Sequence, residues 1–210
     1  MRRSSLLLRS LVLAAMAAGA LVMACGTTSG GTDKPVPSGA DGGRTRLPAP
    51  LRPAASCEVI IDTPELLASP HVPEGSTNAY SSNPPTSGPH YPVWANFQEI
   101  GVPFDDGYLV HSLEHGAVAL LYKCEGAACA TTLEALRKIR DSLATDSSCD
   151  PSIRVRVVIA PYPKLDVPVA AVAWGWTYKA QCVDVPTLTQ FAKDHYAQGP
   201  ENLCVAGRSF

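Results

Sequence analysis

The sequence contains no concentrated run of basic residues, and its formal net charge is −2. Domains that bind nucleic acids usually carry lysines and arginines clustered on one face, so we expect no nucleic-acid partner. The three methionines all lie within the first 23 residues. The remainder of the chain therefore lacks the thioether ligands that a methionine-rich Cu(I) carrier needs.

No apolar run reaches the roughly 20 residues of a comfortable membrane span. Three arginines precede an uncharged apolar stretch, residues 11–23, which ends in small residues. This pattern predicts a secretory signal peptide over residues 1–24. The segment Val22-Met23-Ala24-Cys25 resembles a bacterial lipobox, which implies cleavage before Cys25 and lipid attachment to it. The alternative is an ordinary signal peptide with an incidental cysteine.

Residues 26–56 are dominated by Gly, Ser, Thr and Pro. Such a segment buries too little apolar area to offset the entropy of ordering it. We therefore divide the chain into the signal peptide, a lipid-anchored flexible linker over residues 25–56, and a globular domain over residues 57–210. The membrane is then a partner through the lipid at Cys25, and the location is the extracytoplasmic cell envelope. Gly26 after the lipid-bearing cysteine favours an outer membrane if the cell is Gram-negative.

No two cysteines occur in C-x-x-C spacing, which is frequent in thiolate metal sites and redox motifs. Six remain after Cys25, and an even number in an exported chain predicts disulfides: Cys57, Cys124, Cys129, Cys149, Cys182 and Cys204. Six cysteines allow fifteen connectivities. A local Cys124–Cys129 bridge fits the turn-like insert between them, and Cys182–Cys204 with Cys57–Cys149 would complete the set. Thiolate ligation of a metal is the alternative.

Short apolar runs predict buried strands at 57–61, 116–122, 154–160 and 169–174. Two helices are predicted. One runs from Thr131 to Ala144 and begins with a capping box formed by Thr131 and Glu134. The other runs from Pro186 to Ala197, with Asp184 as its cap.

Prolines break regular structure over residues 80–107, which predicts a long irregular segment there. The expected fold is α+β: a small mixed β-sheet with two helices and a long proline-rich loop, supported by disulfides. A three-layer α/β sheet with its helices on one side is the alternative.

Histidine is scarce, with five in the chain, yet four of the five fall between His71 and Tyr122. The candidate metal ligands are His71, His90, His111 and His115. Neutral imidazoles suit zinc, copper or nickel, whereas calcium and magnesium prefer oxygen ligands. Copper or zinc is the expected cofactor. Histidines that only hydrogen-bond in loops, or metal-free acid–base catalysis, are the alternatives.

The segment His111-Ser112-Leu113-Glu114-His115 also matches the inverted zinc-protease motif H-x-x-E-H. That motif needs a helix, and here Gly116 and a predicted buried strand follow at once. At most Gly107–His115 is then available for a helix, which disfavours a protease. Glu114 is the catalytic candidate if the protein is an enzyme. We place His195, on the last helix, outside the site.

Two motifs together resemble the bacterial family called domain of unknown function 3105. They are Pro84-Pro85-Thr86-Ser87-Gly88-Pro89-His90-Tyr91 and Val110-His111-Ser112-Leu113-Glu114-His115-Gly116. Later segments extend the resemblance over roughly residues 57–204: Pro161-Tyr162-Pro163, Ala173-Trp174-Gly175 and Gly199-Pro200-Glu201. The resemblance implies an exported, frequently membrane-anchored domain with matching histidines at positions 71, 90, 111 and 115 and a matching Glu114. It implies no particular reaction.

Three functions remain open from the sequence. The first is an exported lipoprotein that binds copper or zinc for metal handling at the cell envelope. The second is a metal-dependent enzyme, either a copper oxidase-like protein or a zinc hydrolase. The third is a structural envelope domain without a metal. A closed four-ligand site would favour binding, and an open three-ligand site would favour catalysis.

Overall fold

The computed structural model of the chain describes residues 57–210 and the backbone of one short strand before them. The strands are β1 (Arg44–Arg46), β2 (Val59–Asp62), β3 (Val118–Tyr122), β4 (Val157–Pro161), β5 (Val169–Ala173) and β6 (Trp176–Ala180). The helices are α1 (Asp106–Glu114), α2 (Ala127–Ser142) and α3 (Val185–His195). The predicted signal peptide, Cys25 and most of the predicted linker lie outside the described residues.

The strands form one mixed sheet in the order β1-β2-β6-β5-β3-β4. Only β3 and β4 run parallel, and α2 lies between them in the chain as their crossover connection. The remaining pairs are antiparallel. Every residue of β3 and β5 is buried, which explains why both read as continuous apolar runs. The predicted α+β fold with a small mixed sheet is confirmed.

The two faces of the sheet are covered by different elements. Leu136 and Ile139 of α2 and Leu188 and Phe191 of α3 pack in one apolar cluster with alternate residues of the strands. The opposite cluster contains residues of α1 and of the long segment that precedes it. Helices therefore lie on both faces of the sheet, which differs from the alternative prediction of helices on one side. No helix among residues 57–210 is long and apolar enough to cross a membrane.

Helix α1 is the third helix that the sequence analysis left out, and Gly116 ends it rather than preventing it. The amide of Gly116 donates to the Leu113 carbonyl (2.9 Å) and the amide of Ala117 donates to the Ser112 carbonyl (3.0 Å). Gly116 has φ = 85°, and these two bonds are those of a Schellman C-cap. A glycine directly after His115 is thus the usual end of a helix, and α1 closely matches the Gly107–His115 stretch that the sequence left available for one.

Helix α2 begins at Ala127, four residues before the predicted Thr131. Its N-cap is Gly126, with no side-chain cap, so the predicted capping box does not form. Glu134 instead pairs with Lys138 one turn later, at 2.7 Å. Asp184 does cap α3, because its side chain accepts a hydrogen bond from the Thr187 amide.

Strand β6 was also absent from the prediction. Ala173 and Trp176 pair across a two-residue turn, in which Gly175 has φ = 73°. Gly175 therefore marks a hairpin instead of the end of the sheet. With β6 known, the register places Cys57 beyond Val59 and Cys182 beyond Ala180, at the same end of the β2–β6 pair.

The disulfides are Cys57–Cys182, Cys124–Cys129 and Cys149–Cys204. The predicted local bridge is confirmed, whereas the predicted Cys182–Cys204 and Cys57–Cys149 pairs are wrong. The reason is β6, which brings Cys182 beside Cys57 and leaves Cys149 to hold the C-terminal segment through Cys204.

Candidate metal centre

His71 and His90 lie on the irregular segment between β2 and α1, and the backbone holds them side by side. The His90 amide donates to the Pro70 carbonyl (3.1 Å), and the Val72 amide donates to the His90 carbonyl (2.8 Å). These bonds form an isolated parallel bridge between the two histidines. Their ring centroids are 4.9 Å apart.

The hydroxyls of Ser87 and Ser69 fix the turn that presents His90. Ser87 Oγ accepts a hydrogen bond from the Leu67 amide at 3.0 Å. Ser69 Oγ accepts one from the Gly88 amide at 3.4 Å. Gly88 has φ = 120°, and a Cβ there would lie 3.1 Å from the Tyr80 ring. Only glycine suits this position, so the local sequence around His90 is explained by the turn it forms.

His111, Glu114 and His115 lie at the C-terminal end of α1, which is buried from Gly107 onward. The Schellman cap turns the chain directly into β3 and anchors this end of α1 to the sheet. His111 and His115 are four residues apart, so their rings lie on one face of the helix. Their Nε2 atoms are 3.1 Å apart.

The described residues contain two overlapping groups of donor atoms suited to a metal ion. In the first, one donor atom each from His71, His90, His111 and Glu114 lies within 4.8 Å of all the others. The second consists of His111, His115 and Glu201. The four predicted histidines therefore divide between two groups that share His111, and Glu114 takes the fourth place in the first.

Backbone carbonyls set the protonation of two of these rings. His90 Nδ1 lies 2.9 Å from the Gly88 carbonyl, and His111 Nδ1 lies 2.6 Å from the Tyr91 carbonyl. A carbonyl only accepts, so in the neutral ring Nδ1 carries the hydrogen and Nε2 carries the lone pair. Metal-binding histidines typically donate their other ring nitrogen in this way.

The Nε2 atoms of His90 and His111, which these carbonyls leave free, each lie close to another possible acceptor atom. His90 Nε2 is 2.9 Å from Glu114 Oε2, yet it is buried and has no hydrogen-bond partner within residues 57–210. Two ligands of one tetrahedral zinc ion lie about 3.3 Å apart, given bonds of roughly 2.0–2.1 Å. The 2.9 Å and 3.1 Å separations at this site are close to that spacing.

Burial keeps the imidazoles of His111 and His115 neutral. It lowers the pKa of His111 to about 4, despite the opposing effect of the Tyr91 carbonyl. Burial also lowers the pKa of His115 and raises the pKa of Glu114. At neutral pH the two histidines of α1 therefore offer lone pairs, which is the form that binds a metal.

Trp94 covers the α1 histidines. Its ring centroid is 5.2 Å from that of His111 and 4.5 Å from that of His115. Its indole nitrogen donates to the Val205 carbonyl at 3.1 Å. Trp94 thus packs against both imidazoles and links them to the C-terminal segment.

Glu201 is the site residue that the sequence analysis did not identify as a ligand. Its amide donates to the Glu114 carbonyl (3.0 Å), and its carboxylate lies 3.1 Å from His115 Nε2. A Cβ on the nearby Gly199 would lie 2.1 Å from the Glu114 carbonyl oxygen. The available signal was the Gly199-Pro200-Glu201 segment, in which this close approach requires the glycine.

Two other features stay outside the site. Asp146, Cys149 and Cys204 are also close together, but both cysteines belong to one disulfide and have no thiolate to offer. His195 stacks on Trp176, with ring centroids 4.3 Å apart. His195 is in neither donor group.

Residues 71–206 match the profile of the family described as Protein of unknown function (DUF3105). The chain belongs to this family. The match begins at His71 and includes every residue of both donor groups. Searches of curated proteins and of solved structures found no match to this chain.

Proposed function

We propose that this chain is an exported, lipid-anchored protein that binds one transition-metal ion through His71, His90, His111 and Glu114. One observation carries the proposal. Among residues 57–210, His90 Nε2 is buried without a hydrogen-bond partner, and it lies 2.9 Å from the Glu114 carboxylate. A cation bound by both atoms supplies the partner that His90 Nε2 lacks.

The donor set favours Zn²⁺ or Cu²⁺. Three imidazoles and one carboxylate combine borderline nitrogen ligands with a hard oxygen ligand. Soft thiolate and thioether ligands, which select Cu(I), are absent from both donor groups. Four protein donors around one ion fit a closed site better than an open catalytic one. The proposed role is therefore metal binding or handling at the cell envelope.

Metal analysis of the purified full chain tests the proposal. After loading with Zn²⁺ or Cu²⁺ and removal of excess ion, the wild type should retain one equivalent. His90→Ala and His111→Ala should each lose it. His195→Ala is the matched control, since it removes a histidine outside the site and should retain the ion. A wild type that retains neither ion contradicts the proposal.

The proposed location in the cell envelope rests on the lipobox-like segment that ends at Cys25. It agrees with the three disulfides of the domain. Disulfides persist in oxidising, extracytoplasmic compartments. Wild-type chain should sediment with membranes and dissolve in detergent, whereas Cys25→Ser should not be lipid-modified. Mass spectrometry that finds an unmodified Cys25 in the mature chain would remove the lipid anchor from the proposal.

A metal-dependent hydrolase is the second candidate, because H-x-x-E-H does lie on a helix, α1. In that case Glu114 would act as a base beside the metal instead of binding it. Glu114→Gln separates the two roles. Weaker binding, by about tenfold or more, identifies Glu114 as a ligand. Unchanged binding identifies it as a base and favours the hydrolase.

A further inference from the structure

The second donor group adjoins the first and competes with it for one ligand. His115 Nε2 lies 3.1 Å from His111 Nε2 and 3.1 Å from Glu201 Oε2. His111 belongs to both groups. Its Nδ1 is engaged with the Tyr91 carbonyl, so His111 has one lone pair and can bind one ion at a time. The two groups are therefore alternative positions for an ion that His111 holds.

The two groups differ in the chemistry of their exposed ligand. Each group has one, the His71 imidazole in the first and the Glu201 carboxylate in the second, and the Glu201 side chain is 56 % exposed. The second group thus presents a carboxylate to solvent next to the buried donors. A negative charge at the mouth of a buried site raises the local concentration of cations and their rate of association.

The groups also differ in how firmly their rings are held. His90 and His111 each donate through Nδ1 to a backbone carbonyl. His115 Nδ1 is buried and has no hydrogen-bond partner within residues 57–210. Partners of this kind fix a ring's tautomer and strengthen it as a ligand. His115 lacks one, so it is the weaker and more adaptable ligand.

The fold places Glu201 over His115 by several independent contacts. Gly199 packs against the Glu114 carbonyl, and the Ala197 amide donates to the Gly116 carbonyl at 2.9 Å. The Cys149–Cys204 disulfide holds the segment three residues beyond Glu201. The carboxylate is thus exposed, but its backbone is fixed to the end of α1.

We propose that His111, His115 and Glu201 form a second, weaker position for the same divalent transition-metal ion. The ion passes through this position between solvent and the site of His71, His90, His111 and Glu114, of whose four ligands all but His71 are buried. His111 changes from one set of partners to the other as the ion moves. This assignment rests on the proposed function and makes the protein one that exchanges its metal rather than one that only stores it.

Exchange kinetics test the assignment. Zn²⁺ binding to the full chain, and its release to excess chelator, are followed by stopped flow for the wild type and Glu201→Gln. The variant keeps the backbone and removes the charge. We expect the same Kd, with association and release both slower by about tenfold. Glu99→Gln is the control, because it neutralises a carboxylate that pairs with Arg137 outside both donor groups.

The outcomes separate this assignment from the function on which it rests. Unchanged rates in Glu201→Gln overturn the second position and leave the buried site intact. A weaker Kd with faster release makes Glu201 an ordinary ligand of the tight site and also overturns it. Two ions bound at once in the wild type contradict alternation at His111. A wild type that binds no Zn²⁺ or Cu²⁺ overturns the proposed function itself.

Discussion

His90 Nε2 lies 2.9 Å from Glu114 Oε2, and in the neutral ring this nitrogen carries a lone pair and no hydrogen. The Gly88 carbonyl accepts the hydrogen of His90 from Nδ1. Two acceptors at this separation in a buried site repel each other unless a metal ion or a proton lies between them. The relationship connects a glycine-dependent turn to the affinity of the site, because the turn decides which nitrogen of His90 is free.

The tautomers of His90 and His111 can be measured directly. Nitrogen-15 NMR of the metal-free chain should find the His111 ring neutral at pH 7, because burial lowers its pKa to about 4. It should find a hydrogen on Nδ1 of both His90 and His111. Added Zn²⁺ should shift the Nε2 resonance of each ring. The His195 ring, which stacks on Trp176, serves as the internal control and should not shift. A hydrogen on Nε2 of His90 would contradict the account of the site.

The buried ion pair of Arg156 and Asp146 contacts the end of α1 at which His115 lies. The Arg156 side chain is 2 % exposed. Its guanidinium donates to Asp146 at 3.1 Å and to the His115 carbonyl at 3.0 Å. Asp146→Asn would leave the guanidinium charge uncompensated, which should lower the free energy of unfolding by about 3–5 kcal/mol at pH 7. Urea unfolding followed by circular dichroism measures this loss.

The contribution of Asp146 should depend on pH. Burial raises its pKa, but hydrogen bonds from Ser148 and Tyr196 and the charge of Arg156 together outweigh burial and hold the pKa below its usual value. The carboxylate therefore stabilises the fold fully above the unfolded-state pKa of about 3.9. That stabilisation is lost as the pH falls through the lower folded-state pKa. The difference between wild type and Asp146→Asn should shrink below about pH 4. A constant difference would contradict this prediction.

Asp141→Asn is the matched control for Asp146→Asn. Asp141 pairs with Arg140 at 2.9 Å, but its side chain is 58 % exposed. Exposed ion pairs contribute at most about 1 kcal/mol. Equal losses in the two variants would show that the buried guanidinium does not require its carboxylate.

The disulfides should stabilise the domain unequally. Cys57 and Cys182 are 125 residues apart in sequence, whereas Cys124 and Cys129 are 5 apart. Closing the longer loop in the unfolded chain stabilises the fold by about 5 kcal/mol, against about 2 kcal/mol for the shorter one. We expect paired Cys→Ala variants to follow this order in urea unfolding. A larger loss from the Cys124–Cys129 pair would contradict it.

The sequence predicted a helix or strand correctly where its pattern had a single physical cause. Strands β3 and β5 are buried on both faces, so they appear as apolar runs. Asp184 caps α3 as expected. Strand β6 is less apolar and follows a two-residue turn. It was missed because Gly175 indicates the end of a strand as well as it indicates a hairpin.

The same ambiguity affected α1. Gly116 was taken to limit any helix to Gly107–His115 and so to disfavour the H-x-x-E-H motif, yet a glycine in the left-handed region is the usual end of a helix. A Cβ at this position would lie 2.8 Å from the Ala197 backbone, a contact between positions 116 and 197 that no local pattern encodes. The wrong disulfide pairs have the same origin, since they depend on strand neighbours.

The candidate ligands were predictable by residue type, and their grouping was not. Scarcity and clustering singled out His71, His90, His111 and His115. Which nitrogen each ring offers depends on carbonyls such as those of Gly88 and Tyr91, and these are invisible in the sequence. Glu201 lies beside His115 because the segment that follows α3 is hydrogen-bonded to the C-terminal end of α1.

Anomalous X-ray diffraction at the zinc edge, on crystals of the Zn²⁺-loaded chain, tests the central claim most directly. The account predicts one strong anomalous peak bonded to His90 Nε2 and His111 Nε2 at about 2.0–2.1 Å, with His71 and a Glu114 oxygen completing the site. Crystals without a peak there, in which His90 Nε2 instead donates a hydrogen bond to Glu114, would contradict it.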